Sequence, residues 1–214
     1  DNQLYYDMNQ ILVSVGGKQT IFNLAQALLN PGDEDIIPAP YWVSYPYIAL
    51  LAGGVPVFLS AGIEQGYKIS PEQLEASITP RTRLIFINSP SNPTGAVYTR
   101  EELTALGDVL RKHPDIVIAT DDMYEHILWT DEPFVNIANA CPDLIDRIVV
   151  MNGVSKAYSM TGWRIGYCGG PANLIAAMKK IQSQSTSNPC SISQKAAEAA
   201  LNGDQGCIEP MLKA

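Results

Sequence analysis

The chain has 214 residues, of which 46% are hydrophobic, 17% charged and 8% aromatic, proportions that exclude a disordered tract, a collagen-like repeat and a disulfide-stapled mini-protein. Fourteen Lys and Arg against 22 Asp and Glu leave a formal net charge of −8, which argues against nucleic acid or anionic lipid as the main partner. The cysteines Cys141, Cys168, Cys190 and Cys207 show no C-x-x-C spacing; zinc and thioredoxin-type readings fail, and a reducing cytoplasm is expected.

Taken in chain order, apolar strand-like runs alternate with amphipathic stretches. Strands are expected over 11–15, 35–37, 55–59, 83–87, 116–119, 148–151 and 165–168. Helices are expected over 18–29, 43–51, from Pro71 onward, to Lys112, over 174–182 and over 192–201. Ser70 before Pro71 places an N-cap and a proline at the first helical position. Thr99 with Glu102 three residues later makes a capping box for the helix that ends at Lys112. Strand, crossover helix, strand predicts an α/β class with a mostly parallel central sheet and one domain over 1–214. The longest apolar stretch, 48–59, is broken by Gly53, Gly54 and Pro56 and is too short to cross a bilayer. The start at Asp1-Asn2-Gln3-Leu4 lacks a basic n-region, and both ends read as cut, so an internal piece of a longer protein is expected.

In such sheets ligands sit beyond the carboxyl ends of the strands, and the unusual residues fall there. Gly16-Gly17 follows the first strand and opens a helix, where unobstructed backbone N–H groups can bind an anion. Asn88-Ser89-Pro90-Ser91-Asn92-Pro93-Thr94-Gly95 follows the strand ending at Ile87; its prolines and glycine stiffen the turn that presents Asn92. Asp121 follows the strand ending at Ala119, where an acid can meet a cofactor or simply cap a helix. The segment 155–164 follows the strand ending at Met151, and small and aromatic neighbours around Lys156 predict a partly buried, nucleophilic amine. Arg164 could fork onto a phosphate. Two lone histidines, His113 and His126, make no metal site. Tyr5, Tyr6, Trp129 and Trp163 read as packing, and 182–189 as a polar loop.

With V-G-G-K at 15–18, P-Y-W-V-S-Y at 40–45, S-N-P-T-G at 91–95, D-x-x-Y at 121–124 and S-K-A-Y-S-M-T-G-W-R at 155–164, essentially the whole chain resembles the class I, fold type I pyridoxal-phosphate (PLP) dependent aminotransferases, in the aspartate aminotransferase-like branch. The resemblance implies the large PLP-binding domain, a three-layer α/β/α unit with helices on both faces of a mixed sheet. It implies Lys156 as the catalytic lysine that carries the cofactor, Asp121 at the pyridine nitrogen, Tyr124 and Asn92 at the phenolic oxygen, and Trp42 stacked on the ring. Gly17, Lys18 and Arg164, with Ser155, match the phosphate site; Lys18, Trp42 and Asn92 also face substrate, Lys18 reaching a distal carboxylate. It further implies ping-pong transfer between an amino acid and 2-oxoglutarate, a homodimer, and an N-terminal segment and C-terminal small domain outside this chain. A PLP-dependent lyase, an inactive cofactor-domain fragment and a Ser155–Lys156 hydrolase are the alternatives.

Overall fold

A computed structural model describes residues 2–213. Seven strands, β1 (Ile11–Val15), β2 (Glu34–Ala39), β3 (Val55–Ser60), β4 (Thr82–Asn88), β5 (Val117–Asp121), β6 (Ile148–Gly153) and β7 (Ile165–Gly169), form one sheet in the order β1-β7-β6-β5-β4-β2-β3. The pairings from β3 through β6 are parallel, whereas β7 runs antiparallel to both β6 and β1. Six strands therefore point one way. Their carboxyl ends, and the beginning of β7, share one edge of the sheet.

Among the described residues eight helices accompany the sheet: α1 (Gly17–Leu28), α2 (Ser44–Leu51), α3 (Pro71–Ser77), α4 (Arg100–Arg111), α5 (Ile137–Ala140), α6 (Ala172–Ser183), α7 (Ser191–Asn202) and α8 (Ile208–Lys213). Side chains alternate between the faces of a strand, and β4 shows the result. Leu84 and Phe86 pack with Leu24 of α1 and Ile48 of α2. Ile85 and Ile87 pack with Leu74 of α3 and Leu103 and Leu106 of α4. The architecture is the expected mixed α/β sheet sandwiched between helical layers. The expected capping box forms: the Thr99 hydroxyl accepts from the Glu102 amide at 3.2 Å, and the Glu102 carboxylate accepts from the Thr99 amide at 2.8 Å; Ser70 caps α3, its hydroxyl accepting from the Gln73 amide at 3.2 Å.

Five strands, β2 to β6, run further toward the shared edge than their apolar runs suggest, and three of them carry residues of the site. β4 ends at Asn88, β5 at Asp121 and β6 at Gly153, because Asn88 pairs with Asp121, Asp121 with Met151 and Gly153 with Gly166. Asp121 is thus the last residue of a strand, and a turn rather than a helix follows it. Gln182, expected both as the last residue of the helix over 174–182 and as the first of the polar stretch 182–189, lies inside α6: buried, it accepts from Ser14 Oγ at 2.7 Å and Asn23 Nδ2 at 2.9 Å and donates to the Val13 carbonyl at 2.8 Å. A buried polar side chain is tolerated when it is hydrogen-bonded in this way. Tyr5, Trp129 and Trp163 are exposed, at 92%, 76% and 45%, and are not packing residues. Tyr6 does pack, its ring lying where a Cβ on Gly169 would be. His113 bonds Glu75 at 3.0 Å and His126 contacts Glu125 at 3.3 Å.

One acid on β2 is buried without a partner. Asp35, on the same face of β2 as Ile37, is fully buried, and neither carboxylate oxygen has a hydrogen-bond partner among the described residues. Burial pushes its carboxyl well above the ordinary aspartate range. The folded chain holds this proton at pH values where the unfolded chain has released it, so stability is lost as pH rises from the ordinary aspartate value through the raised one. Asp35→Asn is expected to relieve this, the advantage growing with pH by up to about 1.4 kcal/mol per unit. Urea unfolding of the full-length protein at pH 5 and pH 8 checks it; an advantage that does not grow between the two refutes it.

Candidate active site

A cavity of about 260 Å³ opens at the carboxyl edge of the sheet, and Gly17, Lys18, Trp42, Asn92, Asp121, Tyr124, Ser155, Lys156 and Arg164 all line it. These are the nine residues singled out from the sequence, spread over almost 150 positions and brought together by the strand ends. Arg164 precedes rather than follows a strand. It reaches the same edge because β7 runs in reverse.

The turn before α1 is shaped by glycine. Gly16 sits at φ +84°, and a Cβ there would lie 2.2 Å from an Arg164 guanidinium nitrogen. Gly166 must also lack a side chain, since a Cβ would stand 2.3 Å from the Gly17 nitrogen. The first amides of α1 have no partner within the helix and carry the positive end of its dipole. With the guanidinium alongside, they form an anion cradle. Arg164 itself is held at φ +55°, a left-handed conformation that costs a non-glycine residue about 1–3 kcal/mol. Its Nη1 donates to the Thr161 carbonyl at 2.9 Å.

Asp121 is buried at the cavity floor. Its Oδ2 accepts a 2.6 Å bond from the Tyr45 hydroxyl and its Oδ1 a 3.2 Å bond from the Met123 amide. Burial raises its pKa despite these bonds and the charge of Lys156, which oppose the shift. The fully buried Tyr45 hydroxyl is itself pushed up strongly by desolvation and by the Asp121 charge. A buried carboxylate of this kind is set to receive a cation from the cavity side.

Asn92 Nδ2 donates to the Tyr124 hydroxyl at 3.0 Å, so the two polar groups meet at one point of the wall. Trp42 stands edge-on to Tyr45 with ring centroids 5.4 Å apart, and the Lys18 ammonium lies 5.1 Å from the Trp42 ring. Ser155 is buried, whereas Lys156 is exposed, its Nζ 5.6 Å from the Tyr124 ring. The desolvation expected for Lys156 is therefore not found: its small neighbours Ser155 and Ala157 turn inward and leave the amine at the cavity mouth.

The arrangement can hold a flat aromatic group. It offers an anion cradle at one end, a carboxylate for a cationic ring atom at the floor, donors for an oxyanion between Asn92 and Tyr124, and a free amine above. Sequence reasoning missed Tyr45, Asn88, Met123 and Thr161, which also line the cavity. Tyr45 was within reach as the last residue of the P-Y-W-V-S-Y motif. Among the described residues, no group of three or more His, Cys, Asp or Glu could hold a metal, and no helix is long and apolar enough to cross a membrane.

Comparison with known proteins agrees with this geometry. Over its full length the chain is 69% identical to an aspartate/prephenate aminotransferase of Nitrosomonas europaea, covering 54% of that protein. It is 61% identical over 205 residues to the aspartate/prephenate aminotransferase of Cereibacter sphaeroides, covering 96% of this chain and 51% of the relative. The crystal structure of the aspartate aminotransferase from Rhizobium meliloti superposes with a TM-score of 0.97 at 49% identity, over 99% of this chain and 53% of that one. The chain spans about half the length of the curated relatives it matches. The family model described as aminotransferase class I and II matches residues 1–213, and the chain belongs to that family.

Proposed function

We propose that the intact protein is a PLP-dependent aminotransferase that exchanges an amino group between an L-amino acid, aspartate first, and 2-oxoglutarate in a ping-pong cycle. The reading rests on one observation: the amine, the buried carboxylate, the paired Asn92 and Tyr124, the indole and the anion cradle all line a single cavity. PLP has a matching feature for each: a phosphate, a basic ring nitrogen, a phenolic oxygen, a flat ring and an aldehyde. When bound it supplies an electron sink for the pair left as a substrate Cα–H bond breaks.

The chain's own residues hold and aim that group. The Gly17 and Lys18 amides with Arg164 bind its phosphate, with Ser155 beside them. Asp121 keeps a proton on the ring nitrogen, and Tyr45 fixes the carboxylate from behind. Asn92 and Tyr124 stabilise negative charge on the phenolic oxygen. Trp42 covers one ring face. Lys156 would hold the aldehyde end and, when its amine is free, its Nζ would take the proton from the substrate Cα, a positioned transfer that typically contributes about 10²–10⁴-fold.

Residues 1–214 are read as the cofactor domain of a longer, cytoplasmic homodimer. The stripe formed by Val43, just before α2, and Tyr47, Leu50 and Leu51 along it supports association, each residue being more than half exposed. Lys18 is exposed beside Trp42 and is assigned to the distal carboxylate of a dicarboxylic substrate. Keto-acid release by the full-length protein is expected to be fastest with aspartate. Lys18→Ala is expected to lower the aspartate-to-phenylalanine ratio of kcat/KM by about tenfold or more, the cost of losing a charged hydrogen bond. An unchanged ratio removes the dicarboxylate assignment, and no transamination with any amino acid removes the function.

A further inference from the structure

We propose that Asn88 is a positioning residue that sets the distance between the carboxylate at the cavity floor and the Asn92–Tyr124 pair on its wall; the inference rests on the PLP reading above. Asn88 and Asp121 are partners at the last rung of the β4–β5 ladder. Beyond this rung the backbones diverge, and the Asn88 side chain takes over. Its Nδ2 donates to the Asp121 carbonyl at 2.9 Å, and its Oδ1 accepts from the Asn92 amide at 2.8 Å. Asn92 then donates from its own side chain to Tyr124 at 3.0 Å. One amide therefore ties the strand carrying Asp121 to the turn carrying Asn92, using both of its polar ends. Asn88 lines the cavity as well, but its polar atoms are committed to the protein.

No other side chain hydrogen bond among the described residues holds the Asn92 amide, so its place depends on Asn88. A loosened Asn92 backbone would let its side-chain Nδ2 drift from Tyr124 and weaken the stabilisation of negative charge on the phenolic oxygen, and the protonated form of the bound cofactor would persist to higher pH. Only side chains with both a donor and an acceptor at this reach can make the bridge.

The test uses the full-length holoenzyme, titrating the absorbance of bound PLP against pH and measuring PLP affinity. Asn88→Ala is expected to raise the absorbance midpoint by about half to one pH unit and weaken PLP binding about tenfold, as one or two lost hydrogen bonds imply. kcat should fall with KM little changed. Asn88→Leu, which keeps the volume and loses both bonds, is expected to shift the midpoint the same way and serves if the alanine variant does not fold. Thr94→Ala removes a 3.2 Å bond to the Ala96 amide in the same turn and should leave the midpoint where it is. A midpoint in the folded Asn88 variants no higher than in Thr94→Ala overturns the proposal while leaving the function intact. Wild-type protein that shows no PLP absorbance overturns both.

Discussion

Replacing Lys156 by alanine is expected to abolish amino-group transfer by the full-length protein, with a loss of at least about 10²–10⁴-fold, while leaving its melting temperature nearly unchanged. The two halves of this expectation come from the same geometry. The side chain is exposed at the cavity mouth, with its Nζ 5.6 Å from the Tyr124 ring. Substitutions away from packing and buried hydrogen bonds usually change stability by less than about 0.5 kcal/mol. A dead enzyme with a native melting curve would therefore report lost chemistry and not lost fold. Keto-acid formation and thermal unfolding, measured on one preparation, check it. Activity retained within tenfold of wild type would mean that the amine is not the group that moves the proton.

Asp121→Asn is expected to reduce turnover by about 3–5 kcal/mol, roughly 10²- to 10⁴-fold, the usual penalty for removing one member of a buried ion pair. Its effect on the cofactor-free protein should have the opposite sign. Burial raises the Asp121 pKa, so the folded state keeps a proton that the unfolded chain loses, and stability declines as pH climbs through the raised value. Asparagine carries no such charge and can still accept from the Tyr45 hydroxyl through its oxygen, giving up only the longer 3.2 Å bond from the Met123 amide. Without PLP the variant should melt at or above the wild-type temperature at pH 8. With PLP, wild type should gain more than the variant, because a ring-nitrogen cation opposite Asp121 keeps the carboxylate ionised. Melting curves at pH 5 and pH 8, with and without PLP, separate the cases. Equal gains from PLP in both proteins would deny the ion pair.

Much of this site was legible in the sequence for a local reason. Each apolar run ends abruptly in a residue that has no business in a core: Gly16 after Val15, Asn88 after Ile87, Asp121 soon after Ala119. Hydrophobic periodicity locates strand ends to within a few residues, and parallel topology puts those ends on one edge. What escaped was non-local. Tyr45 sits in a helix, 76 positions from the carboxylate it bonds. Asn88 looked like the first residue of a turn, not the bridge between two strands. Gln182 gave no sign of being buried, because its three hydrogen bonds reach partners on other elements. Lys156 looked desolvated because its neighbours are small, yet those neighbours fill the core and the amine does not.

The sequence by itself determined the layered α/β class, the placement of the chemical groups at strand ends and the family. Periods of two and of 3.6 residues, caps and motif spacings are written along the chain, so no knowledge of partners is needed to read them. Only the tertiary structure decided which groups touch. The reversal of β7 brings Arg164 beside Gly16, Gly166 packs against the Gly17 nitrogen, and Tyr45 and Asn88 close on opposite ends of Asp121. Such contacts depend on strand order and direction across the sheet, and a hydrogen bond set by a fraction of an ångström between distant positions leaves no periodic trace in either of them.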